Sequence, residues 1–275
     1  MKSNARDLAA KKSLGQNFLD HQPTVDAIIV QARSNNVENV LEVGPGKGVL
    51  TRALLDAGLH VYAVEKDRRM IGYLHESLAN AISSGQLRLR EADVLEIPLD
   101  DIVAGQYQVV ANLPYYITGM FLRTTLESET KPQAMTLMLQ EEVVDRIVAD
   151  NSKQSILSLS VNAYGTASKL ARVEKQYFDP VPKVDSAVLA LTNISSRNFI
   201  HHGISEKDFF SLVRTAFANK RKTLRNNVKD LLIENGSNFE SVCTELKIDE
   251  KSRPEDLTLE NYLKMTQLLN SVQSG

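Results

Sequence analysis

Asn39-Val-Leu-Glu-Val-Gly-Pro-Gly-Lys-Gly48 is the stretch whose reading decides the fold. Val40, Leu41 and Val43 form a short buried strand, and glycines at 44, 46 and 48 follow it directly. Val49-Leu-Thr-Arg-Ala-Leu-Leu55 then carries the apolar spacing of a helix, stopped by Gly58. Strand, glycine turn and helix form the opening unit of an α/β sheet, and the glycines let a ligand approach the backbone closely. The spacing is G-x-G-x-G, unlike the G-x-G-x-x-G of dinucleotide binders, and no G-K-[ST] of a phosphate loop follows.

Working outward, three further strands end in groups suited to one ligand and one target. His60-Val-Tyr-Ala-Val-Glu65 ends in an acid placed to accept both hydroxyls of a ribose. Leu87-Arg-Leu-Arg-Glu-Ala leads to Asp93, where a cofactor's adenine amine can be held. Tyr107-Gln-Val-Val-Ala-Asn-Leu-Pro-Tyr115 ends in an amide, a carbonyl and a ring at the strand's carboxyl end, where open α/β sheets bind their ligands. An exocyclic adenine amine is a poor nucleophile because its lone pair is delocalised into the ring. Two acceptors, the Asn112 side-chain oxygen and the Leu113 carbonyl, would grip both N–H bonds and return the lone pair to nitrogen. Pro114 has no N–H and holds the turn open, and Tyr115 can stack on the base. Alone, each acid also reads as a solvated strand end, and the tetrapeptide as a proline turn with a packed tyrosine. Together they describe a sheet carrying S-adenosylmethionine beside a target amine. A nicotinamide dehydrogenase shares the first two features and has no use for the last.

Elsewhere in the chain, Pro23, Val25, Ile28, Ile29 and Ala32 predict a helix with proline in its first turn. A fifth strand spans Ala134 to Gln140, with helices over 141–149 and 156–164. Strands near 169–177 and 186–192 form a hairpin around a proline-rich connector. Phe178 at its start reads either as a second aromatic face opposite Tyr115 or as a core residue. Residues 195–203 read as a linker, with His201 and His202 in a solvated loop. Beyond it the pattern is wholly helical: 206–218, 238–246 and 255–269. Between them, residues 207–230 hold seven Lys or Arg against two Asp. Arg221, Arg225 and Lys229 recur every four residues, which predicts a phosphate-binding stripe that also reads as a solvated face. The basic start, with Lys2, Arg6, Lys11 and Lys12, has the same two readings.

Length and composition set bounds. A chain of 275 residues with 43% hydrophobic content suits one large domain and a small one, here 1–200 and 201–275. A net charge of −2 means that any basic surface is local. The single cysteine, Cys243, excludes an intramolecular disulfide and a cysteine-cluster zinc site and fits a reducing cytosol. The start lacks an apolar signal core, and no run of 18 apolar residues occurs. The expectation is a cytoplasmic monomer without a metal.

Five segments stand in the order of one family: Leu14-Gly-Gln-Asn-Phe-Leu19, Glu42-Val-Gly-Pro-Gly-Lys-Gly48, Asn112-Leu-Pro-Tyr115, Phe178-Asp-Pro-Val-Pro-Lys-Val-Asp-Ser-Ala-Val188 and Ala218-Asn-Lys-Arg-Lys-Thr-Leu-Arg-Asn-Asn227. From 14 to about 260 the chain resembles the KsgA (RsmA) ribosomal RNA adenine dimethyltransferases. The resemblance implies a class I S-adenosylmethionine-dependent methyltransferase, Rossmann-like, with a seven-stranded sheet and a small helical domain. It implies dimethylation of N6 on two adjacent adenines in the 3′-terminal hairpin loop of small-subunit ribosomal RNA, on an immature 30S particle. Asn17 and Leu19 would then cover the cofactor, Gly44 and Gly46 line its amino-acid end, and Glu65 and Asp93 hold ribose and adenine. Asn112 and Leu113 would grip the amine between Tyr115 and Phe178, and Lys220, Arg221, Lys222, Arg225 and Lys229 would meet RNA. Lys153-Gln-Ser-Ile156 and Lys220 depart from the family pattern. Two rivals are the large-subunit resistance methyltransferases, whose usual motif is Asn-Ile-Pro-Tyr, and a non-catalytic RNA-binding or transcription factor on the same scaffold.

Overall fold

In the computed structural model, residues 8–149, 153–219 and 221–273 are described, the side chains of 271–273 excepted. The first strand of the main sheet, β1 (Asn39–Val43), is buried along almost its whole length, as are β2 (His60–Glu65), β4 (Gln108–Asn112) and β5 (Ala134–Gln140). Such uninterrupted apolar runs mark strands covered on both faces, the condition of a parallel sheet. By contrast β3 (Leu87–Glu91) and β6 (Thr166–Val173) carry Arg88, Arg90, Lys169 and Arg172, and β6 alternates in burial. These two form the edges of a seven-stranded sheet of order β3-β2-β1-β4-β5-β7-β6, where β7 is Ser186–Thr192. Neighbours from β3 to β5 run parallel, and β7 runs antiparallel to both β5 and β6. The strand order reverses between β1 and β4, which opens a crevice beyond their carboxyl ends.

The first strand of the hairpin is shifted toward the amino end of the expected 169–177, running Thr166–Val173, because Lys175–Tyr177 is a turn of 3-10 helix. Phe178–Asp179 then pairs antiparallel with Phe18–Leu19 in a small ribbon outside the main sheet. That ribbon ties the start of the chain to the β6–β7 connector. Helix Gln22–Ser34 has Pro23 in its first turn as expected, helix Val49–Asp56 follows the glycine turn, and helix Arg68–Ser77 is capped by Asp67, which accepts from the Arg69 N–H.

The chain divides into two compact units, 1–145 with 166–194, and 146–165 with 195–275. The division differs from a single cut after residue 200. The second unit is built on an aromatic cluster that such a cut would sever. Tyr164 packs edge-on to Phe199 with ring centroids 5.2 Å apart, and Phe199 meets Phe209 at 5.4 Å. Tyr164 also donates to Glu206 at 2.6 Å, and Ser196 donates to the other oxygen of the same carboxylate. The expected linker is therefore structured: Arg197–His202 is a helix. His202 is buried against the Asn198 carbonyl and the Glu260 carboxylate, so the solvated-loop reading is corrected for it, while His201 on the same helix is exposed as expected. A segment of six residues is too short for periodicity to show, and burial of Phe199 supplied the missing constraint. Phe199→Ala should lower stability by about 3–5 kcal/mol in urea unfolding, the usual cost of emptying a packed aromatic site.

Candidate active site

A cavity lies where the sheet order reverses, and all four carboxyl strand ends singled out by sequence contribute to its wall. Gly44, Pro45 and Gly46 come from the turn after β1, Glu65 and Lys66 from β2, and Asp93 from the loop after β3. Asn112, Leu113, Pro114 and Tyr115 come from β4, and residues 14–19 cover it as a strap.

Gly44 has φ +67° and its missing side chain faces open space, so ligand atoms can approach its backbone. At Gly46, φ is +54° and an added Cβ would meet the Phe18 ring at 2.9 Å. The strap thus lies directly on the glycine turn, with the Lys47 ammonium 4.5 Å from the centre of the Phe18 ring. Phe18 is a wall residue that sequence reasoning missed, since nothing in its spacing marks it.

Glu65 is buried, and each of its carboxylate oxygens is fixed by backbone: Gly46 N–H donates to Oε2 at 3.1 Å and Asp67 N–H to Oε1 at 2.8 Å. Burial pushes its pKa upward, while these two N–H groups oppose the rise. Asp93 is held low by the Lys66 ammonium at 2.6 Å and by the Leu95 N–H. Asp93, expected to hold the cofactor's adenine, therefore already carries a cationic partner, which sequence reasoning did not foresee.

Asn112 is half-buried, and its Nδ2 donates to the Asn17 carbonyl at 3.1 Å. With the nitrogen committed there, the amide oxygen is turned to the other side of the group and remains an acceptor. Asn17 also folds its own side chain onto the Gly15 carbonyl at 3.1 Å. Leu113 is buried, with its N–H on the Met138 carbonyl. Tyr115 is fixed by a 2.8 Å bond between its hydroxyl and Ser186, and burial raises its pKa. Leu19 lines the cavity and pairs with Phe178 across the ribbon.

Phe178 itself is not part of the wall. Only 4% exposed, it packs in the core with Leu19, Val173 and Val188. The expected aromatic face opposite Tyr115 is therefore a packed core ring in this conformation. The basic stripe also changes. Its helix runs Leu224–Glu234, so Arg221 and Lys222 precede it and share no helical face with Lys229. Arg225 pairs with Glu240 and lies 3.7 Å from Glu250, which neutralises it. Lys222, Arg221 and Lys229 are exposed; Lys220 and the residues before Leu8 lie outside the described part.

Glu42 is the second residue missed. It is 1% exposed and lines the cavity, and its Oε2 has no hydrogen-bond partner. Its signal was in plain sight, an acid between Leu41 and Val43 in an otherwise apolar strand. Burial pushes its pKa up to about 8, the nearby Thr51 hydroxyl lowers it and Glu65 raises it. A buried acceptor without a donor, at the glycine turn, fits the ammonium of an amino-acid ligand. In the absence of ligand the folded protein holds this proton more tightly than the unfolded chain, so stability falls as pH rises from about 4.5 towards 8. Glu42→Gln should remove that fall, raising the unfolding temperature relative to wild type at pH 8.5 but not at pH 5, as thermal melts across the range would show.

Among the described residues no group of three or more His, Cys, Asp or Glu is placed to hold a metal, and no helix is long and apolar enough to cross a membrane. The family model described as ribosomal RNA adenine dimethylase matches residues 8–271. A ribosomal RNA small subunit methyltransferase A from Dehalococcoides mccartyi is 38% identical over 260 residues, covering 94% of this chain and 88% of its own. Its counterpart from Clostridioides difficile is 33% identical over 268 residues, covering 96% and 92%. Among solved structures, a dimethyladenosine transferase from Plasmodium falciparum superposes with a TM-score of 0.75 at 24% identity over 93% of this chain and 98% of its own. The 23S rRNA methyltransferase ErmE gives 0.70 at 23% identity, over 92% and 100%, and both show the methyltransferase fold. Matched along nearly its whole length, the chain belongs to the ribosomal RNA adenine dimethylase family.

Proposed function

We propose that the tip of β4 is a clamp for the N6 amine of a flipped adenine, in an S-adenosylmethionine-dependent dimethyltransferase of small-subunit ribosomal RNA. The enzyme class, the cofactor and the RNA class follow from the family and its named relatives. The observation that carries the clamp is the bond from Asn112 Nδ2 to the Asn17 carbonyl, because it fixes which way the amide faces, with its donor end on the strap and its acceptor oxygen on the opposite side.

Bound S-adenosylmethionine supplies an electrophilic methyl on its sulfonium. The chain's own residues prepare the other partner. The Asn112 oxygen and the Leu113 carbonyl accept the two N–H bonds of the amine, which favours a pyramidal nitrogen with its lone pair directed at the methyl. After transfer the acidified nitrogen loses its proton to water or past the Asn112 oxygen. Glu65 would hold the ribose hydroxyls with oxygens already aligned by Gly46 and Asp67. Asp93 would take the cofactor's adenine amine on a remaining lone pair, and Glu42 with the backbone at Gly44 the amino-acid end. Asn17 and Leu19 close the cavity over it. Tyr115 carries the stacking contact with the target base, worth roughly 1–3 kcal/mol. Phe178 would have to leave its packed position to add a second face.

The targets in this reading are two adjacent adenines of the 3′-terminal hairpin loop, presented on an immature 30S particle to a cytoplasmic monomer. A loop base costs less to flip than one in a duplex. The same enzyme would thereby act in small-subunit biogenesis. Incubation with labelled cofactor and separated subunits tests the choice: methyl label on the large subunit alone would return the resistance-type reading, and no label at all the non-catalytic one.

Asn112→Ala should cut kcat by at least about 100-fold, the scale of losing a transition-state hydrogen-bonding group, with cofactor affinity by calorimetry little changed. Replacing Arg221, Lys222 and Lys229 together by Ala should reduce the slope of log affinity for RNA against log salt by about 0.7–0.9 for each phosphate no longer neutralised. Arg225→Ala should change that slope less, because Glu240 and Glu250 already occupy its charge.

A further inference from the structure

The strap over the cavity is fastened at two places. Its carboxyl end is held by the ribbon, where Leu19 faces Phe178 and Asp20 N–H donates to the Tyr177 carbonyl at 2.8 Å. Its amino end is held by one carboxylate. Asp67 Oδ1 takes the Lys11 ammonium at 3.2 Å, and Oδ2 takes the Gln16 side-chain amide at 3.1 Å. Gln16 in turn accepts the Lys11 backbone N–H at 2.8 Å, which closes the turn before Asn17.

Asp67 is unusual for a residue that also begins a helix. Its side chain is fully buried, and besides the strap it takes Arg69 Nε at 3.0 Å and Nη2 at 2.6 Å. Burial alone would raise its pKa, but donors from Arg69, Gln16 and Lys11 hold it well below the usual carboxylate range. Arg69 reaches the strap's approach as well, donating to the Ala9 carbonyl at 3.2 Å. On its other side the Asp67 N–H positions Glu65. One buried charge therefore joins the start of the strap to the acid assigned to the ribose, while Asn17, next to Gln16, fixes the Asn112 amide.

We propose that Asp67 is a positioning residue for methyl transfer: it fastens the strap over the cofactor and thereby fixes the Asn17 carbonyl that orients the Asn112 clamp. Helix capping alone does not call for this arrangement. A cap needs one oxygen facing the first backbone N–H groups, which Asp67 provides at 3.2 Å to Arg69, whereas the strap donors engage both oxygens from another segment. The inference rests on the role given to Asn112 above.

Asp67→Asn separates the two duties, because asparagine caps a helix about as well as aspartate but cannot hold an ammonium and an amide donor together. It should raise the cofactor KM and lower kcat, each by about ten-fold, the scale of a lost hydrogen bond to a charged group. Gln16→Ala should act in the same direction while its unfolding temperature stays close to wild type, and the double variant should be no worse than Asp67→Asn. Unchanged kinetics in either single variant, additive losses in the double, or an activity loss that merely tracks the unfolded fraction would overturn the proposal. If Asn112→Ala is inactive with normal cofactor binding while Asp67→Asn is fully active, the clamp stands and the fastening alone is refuted.

Discussion

The bond from the Asn112 side chain to the Asn17 carbonyl is the contact on which the site depends. An amide has a donor end and an acceptor end of nearly equal size, and in an open cavity it can turn either way. Tying the nitrogen to a backbone carbonyl removes that freedom. On the clamp reading, an acceptor held this way needs no reorganisation when the substrate arrives. The strap is thus more than a cover. On that reading it belongs to the catalytic geometry, although Asn17 lies 95 positions from Asn112 in the chain.

The acids around the cavity divide the electrostatic work. Glu65 and Asp67 are buried, but backbone and side-chain donors satisfy them, and so they can stay rigid. Asp93 is partly exposed and has its own lysine. Glu42 alone has an oxygen without a donor and a pKa moved to about 8. Desolvation dominates there because the strand on which it sits is otherwise apolar and central in the sheet. An unsatisfied group of that kind destabilises the protein without ligand, and a cationic ligand end would offset the cost.

The sheet was legible because its strands are short apolar runs closed by glycine, acid or proline, and strand ends in an open α/β sheet converge on one crevice. Glu65, Asp93 and Asn112 could thus be placed together from the sequence. What escaped was set by contacts between distant segments. Phe178 could be read as a wall or a core residue, and its pairing with Leu19 settles it in the core here. Arg221 and Arg225 have helical spacing, but the helix begins three residues after Arg221, at Leu224, and acids from another segment neutralise Arg225. Arg197–His202 is a helix because Phe199 has an aromatic cluster to enter, a fact absent from its own six residues. Nothing in the spacing around Asp67 marks it, and only the strap packed beside it reveals its bonds.

The most direct measurement is a crystal structure of the enzyme with S-adenosylhomocysteine and an adenine-containing loop RNA. The N6 nitrogen of the flipped base should lie about 2.7–3.2 Å from both the Asn112 side-chain oxygen and the Leu113 carbonyl, normal hydrogen-bond range, with Asn112 Nδ2 still on the Asn17 carbonyl. A base bound with N6 beyond hydrogen-bond reach of both acceptors, or an Asn112 amide turned so that its nitrogen faces the base, would contradict the clamp.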